Sequence, residues 1–154
     1  MAELLRAVKP PNEGERGALF PEESKRRQEG HLRHQGEQTG WQQMREVLFE
    51  GEIFAGVPII DIPKDPALER QYLLGFWGGV LEQIKNHVKL THGLSEQQRG
   101  RWDGVAQMID GRMREAMSAL EKGDTAKIDM IDIQDKINEV LRAAQDEDIV
   151  RLAA

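Results

Sequence analysis

SEQQRGRWDGVAQMIDGRMREAMSALEKG, running from Ser95 to Gly123, reads as a helix from its first residue to its last. Ser95 followed by Gln98 is a capping box, in which each side chain satisfies a backbone donor left free at a helix start. Trp102, Val105, Ala106, Ile109, Met113, Ala116, Met117 and Leu120 fall at steps of three and four, the spacing of one apolar helix face. Gly123 supplies the residue that enters the left-handed conformation of a helix C-cap without a steric penalty. The result is a helix of about seven turns that needs an apolar partner.

Its partners lie on either side. Asp65 then Pro66 pairs a capping side chain with the residue favoured at the first helical position, and predicts a helix to about Leu90. Leu74, Trp77, Leu81, Ile84 and Val88 form its seam, and Leu73, Phe76 and Val80 widen the apolar arc. Gly75, Gly78 and Gly79 sit inside this helix at a cost of roughly 1 kcal/mol each relative to alanine. Close approach of another backbone would offset that cost, and a local break is the rival reading. Beyond Gly123, Asp124 is expected to cap a last long helix with Met130, Ile133, Ile137, Val140 and Ala144 on its inner face. The connections at 91–95 and 123–124 are short, so these neighbours are expected to run antiparallel.

The first part of the chain reads differently. Leu4, Leu5 and Val8 suggest two turns before Pro10-Pro11 ends them. Residues 12–40 hold five glycines among mostly polar side chains, a composition that buries too little surface to offset backbone entropy. An extended arm is expected there, with a helical stretch at most from Pro21 to Glu29, ordered by lying on a partner. Thr39 with Gln42 matches a second capping box. It predicts a short helix with Trp41, Met44, Val47 and Leu48 on one face, stopping at Gly51. From Ile53 to Ile62, branched residues interrupted by Gly56, Pro58 and Pro63 predict a packed extended segment or one edge strand. No second strand candidate matches it.

The expected architecture is therefore all-α: residues 1–38 as an extended polar, glycine-rich arm, 39–64 as a short helix plus extended segment, and 65–154 as an antiparallel bundle of three long helices. Composition agrees, with 39% hydrophobic and 31% charged residues in a chain of 154. No apolar run approaches the roughly 18 residues of a membrane span, and Met1–Lys9 lacks the layout of a signal peptide. The absence of cysteine excludes disulfide and thiol chemistry and makes the cytoplasm the default location, with a virion as the alternative. Net charge is −6. Residues 1–37 balance seven basic against seven acidic side chains, whereas 103–154 hold twelve acidic against seven basic, so the C-terminal end is the acidic one. That end would repel a polyanion.

Candidate chemistry is sparse. His31 and His34 have a zinc-like spacing, but no cysteine or second close pair completes a ligand set, and no metal or cofactor is expected. Asp129, Asp132, Asp135 and Glu139 line one side of the last helix, where carboxylates accept a basic partner or simply face water. Gly75–Gly79 lacks the strand before it and the Lys-Ser or Lys-Thr after it that a phosphate loop requires. Lys25, Arg26, Arg27 and Arg33 form the one basic cluster, with Glu22, Glu23 and Glu29 interleaved. Trp77 and Trp102 read as core anchors, while Trp41, nearest the polar arm, is the candidate hot spot for a partner.

These features lead to the expectation of a non-enzymatic interaction or assembly protein. It would oligomerise through its helical core or dock on another protein, in the general build of small viral or mobile-element structural proteins. Trp41, Arg26, Arg27, Asp129, Asp132 and Asp135 are the candidate contact residues. A small acidic regulator of an enzyme or a nucleic-acid machine is the second reading, and a DNA-binding protein using residues 25–34 the third. Neither a membrane nor nucleic acid is the expected partner.

Overall fold

Every ordered element in the computed structural model is helical, and the residues it describes are 21–124 and 129–153. The expected turns at Met1–Lys9 lie outside them. The helices are α1 (Pro21–Glu50), α2 (Pro66–Leu90), α3 (Glu96–Glu121) and α4 (Ile131–Ala153), with a 3-10 turn at Ile59–Asp61 between α1 and α2.

Local chemistry sets most of the boundaries. At α3, Ser95 Oγ accepts from Gln98 N at 3.1 Å while Ser95 N donates to Gln98 Oε1 at 3.2 Å, a complete capping box. Its end is a Schellman motif. Gly123 has φ +74°, its N–H reaches Leu120 O at 3.0 Å, and Asp124 N reaches Ala119 O at 2.8 Å. Asp65 caps α2 through Oδ1, 2.9 Å from Ala67 N. The expected cap at Asp124 is corrected: Asp124 belongs to the end of α3, and α4 begins at Ile131, whose N–H donates to Asp129 Oδ1 at 3.0 Å.

The largest departure is at the front. Residues 21–38, expected as an extended arm apart from a short helical stretch, and the separate short helix expected from Thr39, form one helix of 30 residues. Thr39 caps nothing. Its hydroxyl donates to Gln35 O at 2.9 Å, the back-bond of a threonine inside a helix. What orders this polar helix is its glycines. A Cβ on Gly36 would collide with the Tyr72 carbonyl oxygen and lie 3.0 Å from Phe76 N, and one on Gly40 would strike the Phe76 carbonyl. From the other side, a Cβ on Gly75 would strike the Arg33 carbonyl, and one on Gly79 the Glu37 carbonyl, 2.7 Å from Trp41 N. Two glycine pairs, each four residues apart, thus let the backbones of α1 and α2 touch, as small-residue pairs do wherever helices pack closest. The partner of this segment is the chain's own second helix.

That register also fixes direction. Arg33 meets Gly75 and Glu37 meets Gly79, so the numbers rise together and the two helices run parallel. Gly40 lies level with Phe76, so the link from Glu50 to Pro66 must return about 30 Å along the helices. Fifteen extended residues reach at most about 50 Å, which is why this link is drawn out. No strand accompanies it among the described residues, and helix side chains take that role. Asn138 of α4 accepts from Phe54 N at 2.9 Å and donates to Phe54 O at 3.0 Å. Gln43 of α1 accepts from Gly56 N at 3.0 Å and donates to Gly56 O at 2.7 Å, and Gln134 donates to Ala55 O at 3.1 Å. Primary amides, holding one donor and one acceptor side by side, imitate the edge of a strand.

Phe54 is thereby locked into the core, its ring 5.7 Å from Trp77 and 6.2 Å from Phe76. Around it pack Met44 and Val47 of α1, Val80 and Ile84 of α2, Trp102, Val105 and Ile109 of α3, and Ile133, Ile137 and Val140 of α4. The next two pairings run in opposite directions. His87 meets Trp102 while Gly78 faces Met113, and Arg101 meets Glu147 while Arg112 meets Asp132. None of the helices in the described residues is long and apolar enough to cross a membrane.

Candidate interaction surface

Helix α1 has two faces of opposite character. Gly36, Gly40, Met44 and Val47 are buried against the rest of the molecule. On the outside, Trp41, Arg45 and Phe49 repeat at steps of four and so stack along one line of the helix. The Arg45 guanidinium lies 5.4 Å from the Trp41 ring centroid and 5.9 Å from that of Phe49, within cation–π distance of both. Phe49 is nonetheless 81% exposed and Ile53, just beyond the helix, 80%. Two open clefts follow one another along the ridge, each of about 510 Å³. One is lined by Trp41, Arg45, Glu46, Phe49 and Glu50, the other by His34, Glu37, Gln38, Trp41 and Glu82. Trp77 and Trp102, by contrast, are 3% and 2% exposed. Of the three tryptophans, Trp41 alone reaches the surface.

The other candidate residues are not brought to this ridge. Arg26 and Arg27 are exposed near the start of α1, and Arg27 pairs with Glu23 one turn earlier at 2.8 Å. The acidic series on α4 is partly used inside the fold. Arg112 of α3 forks onto Asp132 at 2.5 and 3.2 Å and also donates to the Asp129 backbone carbonyl at 2.6 Å. The Asp129 side chain serves the first turn of α4. Asp135 faces water without an ion pair among the described residues.

The histidines are dispersed. His31 and His34 are exposed on α1, and no group of three or more metal-ligating side chains occurs among the described residues. His87 is half-buried, edge-on to Trp102 with ring centroids 5.9 Å apart, and its Nδ1 lies 3.1 Å from Thr91 Oγ1. Burial pushes its pKa below the ordinary histidine value. Arg45 and Phe49 were not among the residues singled out from sequence. Their step of four from Trp41 was the available signal, obscured by the expectation that Trp41 begins a short helix rather than occupying the middle of a long one.

No family model, no curated protein and no solved structure matches the chain. Its class therefore rests on the fold itself: an all-helical protein with an exposed aromatic ridge.

Proposed function

We propose that this chain is a non-enzymatic protein–protein interaction module, and that the outer face of α1 carries its binding ridge, engaging a second copy or another protein. The observation that supports the reading is the exposure of Phe49 and Ile53 at the end of the Trp41–Arg45–Phe49 ridge, with two further isoleucines exposed in the link. Phe49 sits in the last turn of α1 and Ile53 just beyond it, and Ile59 and Ile60 in the 3-10 turn are 84% and 93% exposed. Exposed large apolar side chains mark interaction sites, and Trp, Phe and Arg are enriched in them. The viral or mobile-element setting belongs to the same proposal as an analogy of build.

Light scattering of the full chain, paired with affinity isolation from its native host, tests the reading against a matched Phe49→Ser/Ile53→Ser variant. Both positions are exposed, so the variant keeps its fold, which thermal unfolding checks. An oligomer or a retained protein that disappears in the variant supports the proposal. A monomer whose retained proteins are identical with and without the two side chains overturns it.

A further inference from the structure

The two clefts meet at Trp41 and Gln42 and follow one another along the outer face of α1 as a shallow, open trough from His34 to Glu50, about 24 Å at the helical rise. Its charged side chains are mostly acidic. Glu37, Glu46, Glu50 and Glu82 are all exposed, and none makes an ion pair among the described residues. Four carboxylates against Arg45 leave a formal balance of −3 among these acidic and basic side chains. Arg45 lies within cation–π distance of both rings and still leaves Phe49 81% exposed, open to an apolar side chain. The two apolar anchors, Trp41 and Phe49, are eight residues apart, about 12 Å, matching positions seven or eight apart along the stripe of a second helix.

Resting on the reading of α1 as a binding face, we infer that the trough takes a basic amphipathic helix of a partner protein. Its apolar stripe seats on Trp41 and Phe49, and its Lys and Arg side chains meet Glu37, Glu46, Glu50 and Glu82. A second copy fits this surface poorly, because its α1 would set the same acidic rim against this one within a chain of net charge −6. A trough of about 24 Å accommodates about 16 helical residues.

The test uses the full chain and three synthetic 18-residue helices with leucine on one face and Lys, Gln or Glu on the other, labelled for fluorescence anisotropy at physiological salt. The Lys helix is expected to bind at least about tenfold tighter than the Gln helix, and the Glu helix not at all. Glu37→Gln/Glu46→Gln/Glu50→Gln/Glu82→Gln should weaken it by about tenfold or more, since each exposed pair contributes modestly and the four add. Removing four exposed carboxylates elsewhere, by Asp103→Asn/Glu115→Gln/Glu121→Gln/Asp135→Asn, should leave affinity within about twofold. Equal loss in both variants, or equal binding of the Lys and Gln helices, overturns the inference. If no helix binds while Phe49→Ser/Ile53→Ser dissolves an oligomer, the trough is an interface between copies; this inference then falls and the interaction reading stands. If no helix binds and no association depends on Phe49 and Ile53, both fall.

Discussion

Replacing Gly75 by alanine adds one methyl group in the middle of α2, and two opposing effects follow. In isolation the change favours the helix by about 1 kcal/mol, because glycine loses more backbone entropy on folding. Against it, the new Cβ would overlap the Arg33 carbonyl oxygen and stand 2.8 Å from the carbonyl carbon. Both atoms are backbone of α1 and cannot rotate away, so α1 must move outward. Overpacking of this kind costs about 1–3 kcal/mol, and the loosened pair also forfeits dispersion contacts along the two glycine faces. The expected net is a destabilisation of about 1–2 kcal/mol, or a fall in Tm of about 2–8 °C for a chain of this size. Gly104 supplies the control, since a Cβ there meets nothing within 4 Å, and Gly104→Ala should raise Tm by a few degrees. Differential scanning calorimetry of the two variants in one buffer decides the matter. A stabilisation by Gly75→Ala equal to that of Gly104→Ala would refute the close backbone approach.

Asn138→Leu removes both hydrogen bonds to the Phe54 backbone and strands a part-buried N–H and C=O, so a loss of about 2–4 kcal/mol is expected in urea unfolding. A change below about 0.5 kcal/mol would contradict the strand-substituting role of that amide. Charge reversal at Asp132 breaks its fork with Arg112 and should lower stability by up to about 1 kcal/mol, discounted for exposure, whereas reversal at Asp135 should be silent. Equal effects at the two sites would argue against the pairing. Burial keeps His87 below its ordinary pKa, so the unfolded chain takes up this proton more readily than the folded one. The stability from neutral His87 is complete above about pH 6.5 and is lost as pH falls below it. Thermal midpoints of His87→Gln should therefore vary less between pH 5 and 7 than those of the unaltered chain, and parallel curves would contradict the buried placement.

The three helices after Pro66 were legible because their information is local. Caps at Asp65 and Ser95, the stop at Gly123, and seams repeating every three or four residues each act within a turn or two of the chain. Helix α1 was not, because its order comes from a partner about 36–42 positions away. Read alone, Gly36 and Gly40 are entropy liabilities in a polar run. Read beside Gly75 and Gly79, they are the matching half of a contact, and the equal four-residue spacing was the visible clue. The offset expected for the glycines of α2 did come from another backbone, at Gly75 and Gly79, while Gly78 faces the tip of Met113 at 3.4 Å. The extended link was recognised from its prolines and branched residues, but not its support, since nothing in a sequence shows that amides thirteen or 84 positions away complete its ladder. Of the candidate contact residues, Trp41 is at the surface ridge and Asp132 is engaged with Arg112.

Amide hydrogen exchange resolved along the full chain tests most directly whether α1 is a seated part of the fold. Residues 33–47 are expected to exchange as slowly as 72–84 of α2, because two helices whose backbones touch open only together. Exchange of 33–40 at the rate of an unstructured peptide, with α2 still protected, would contradict the account and return that segment to a free arm.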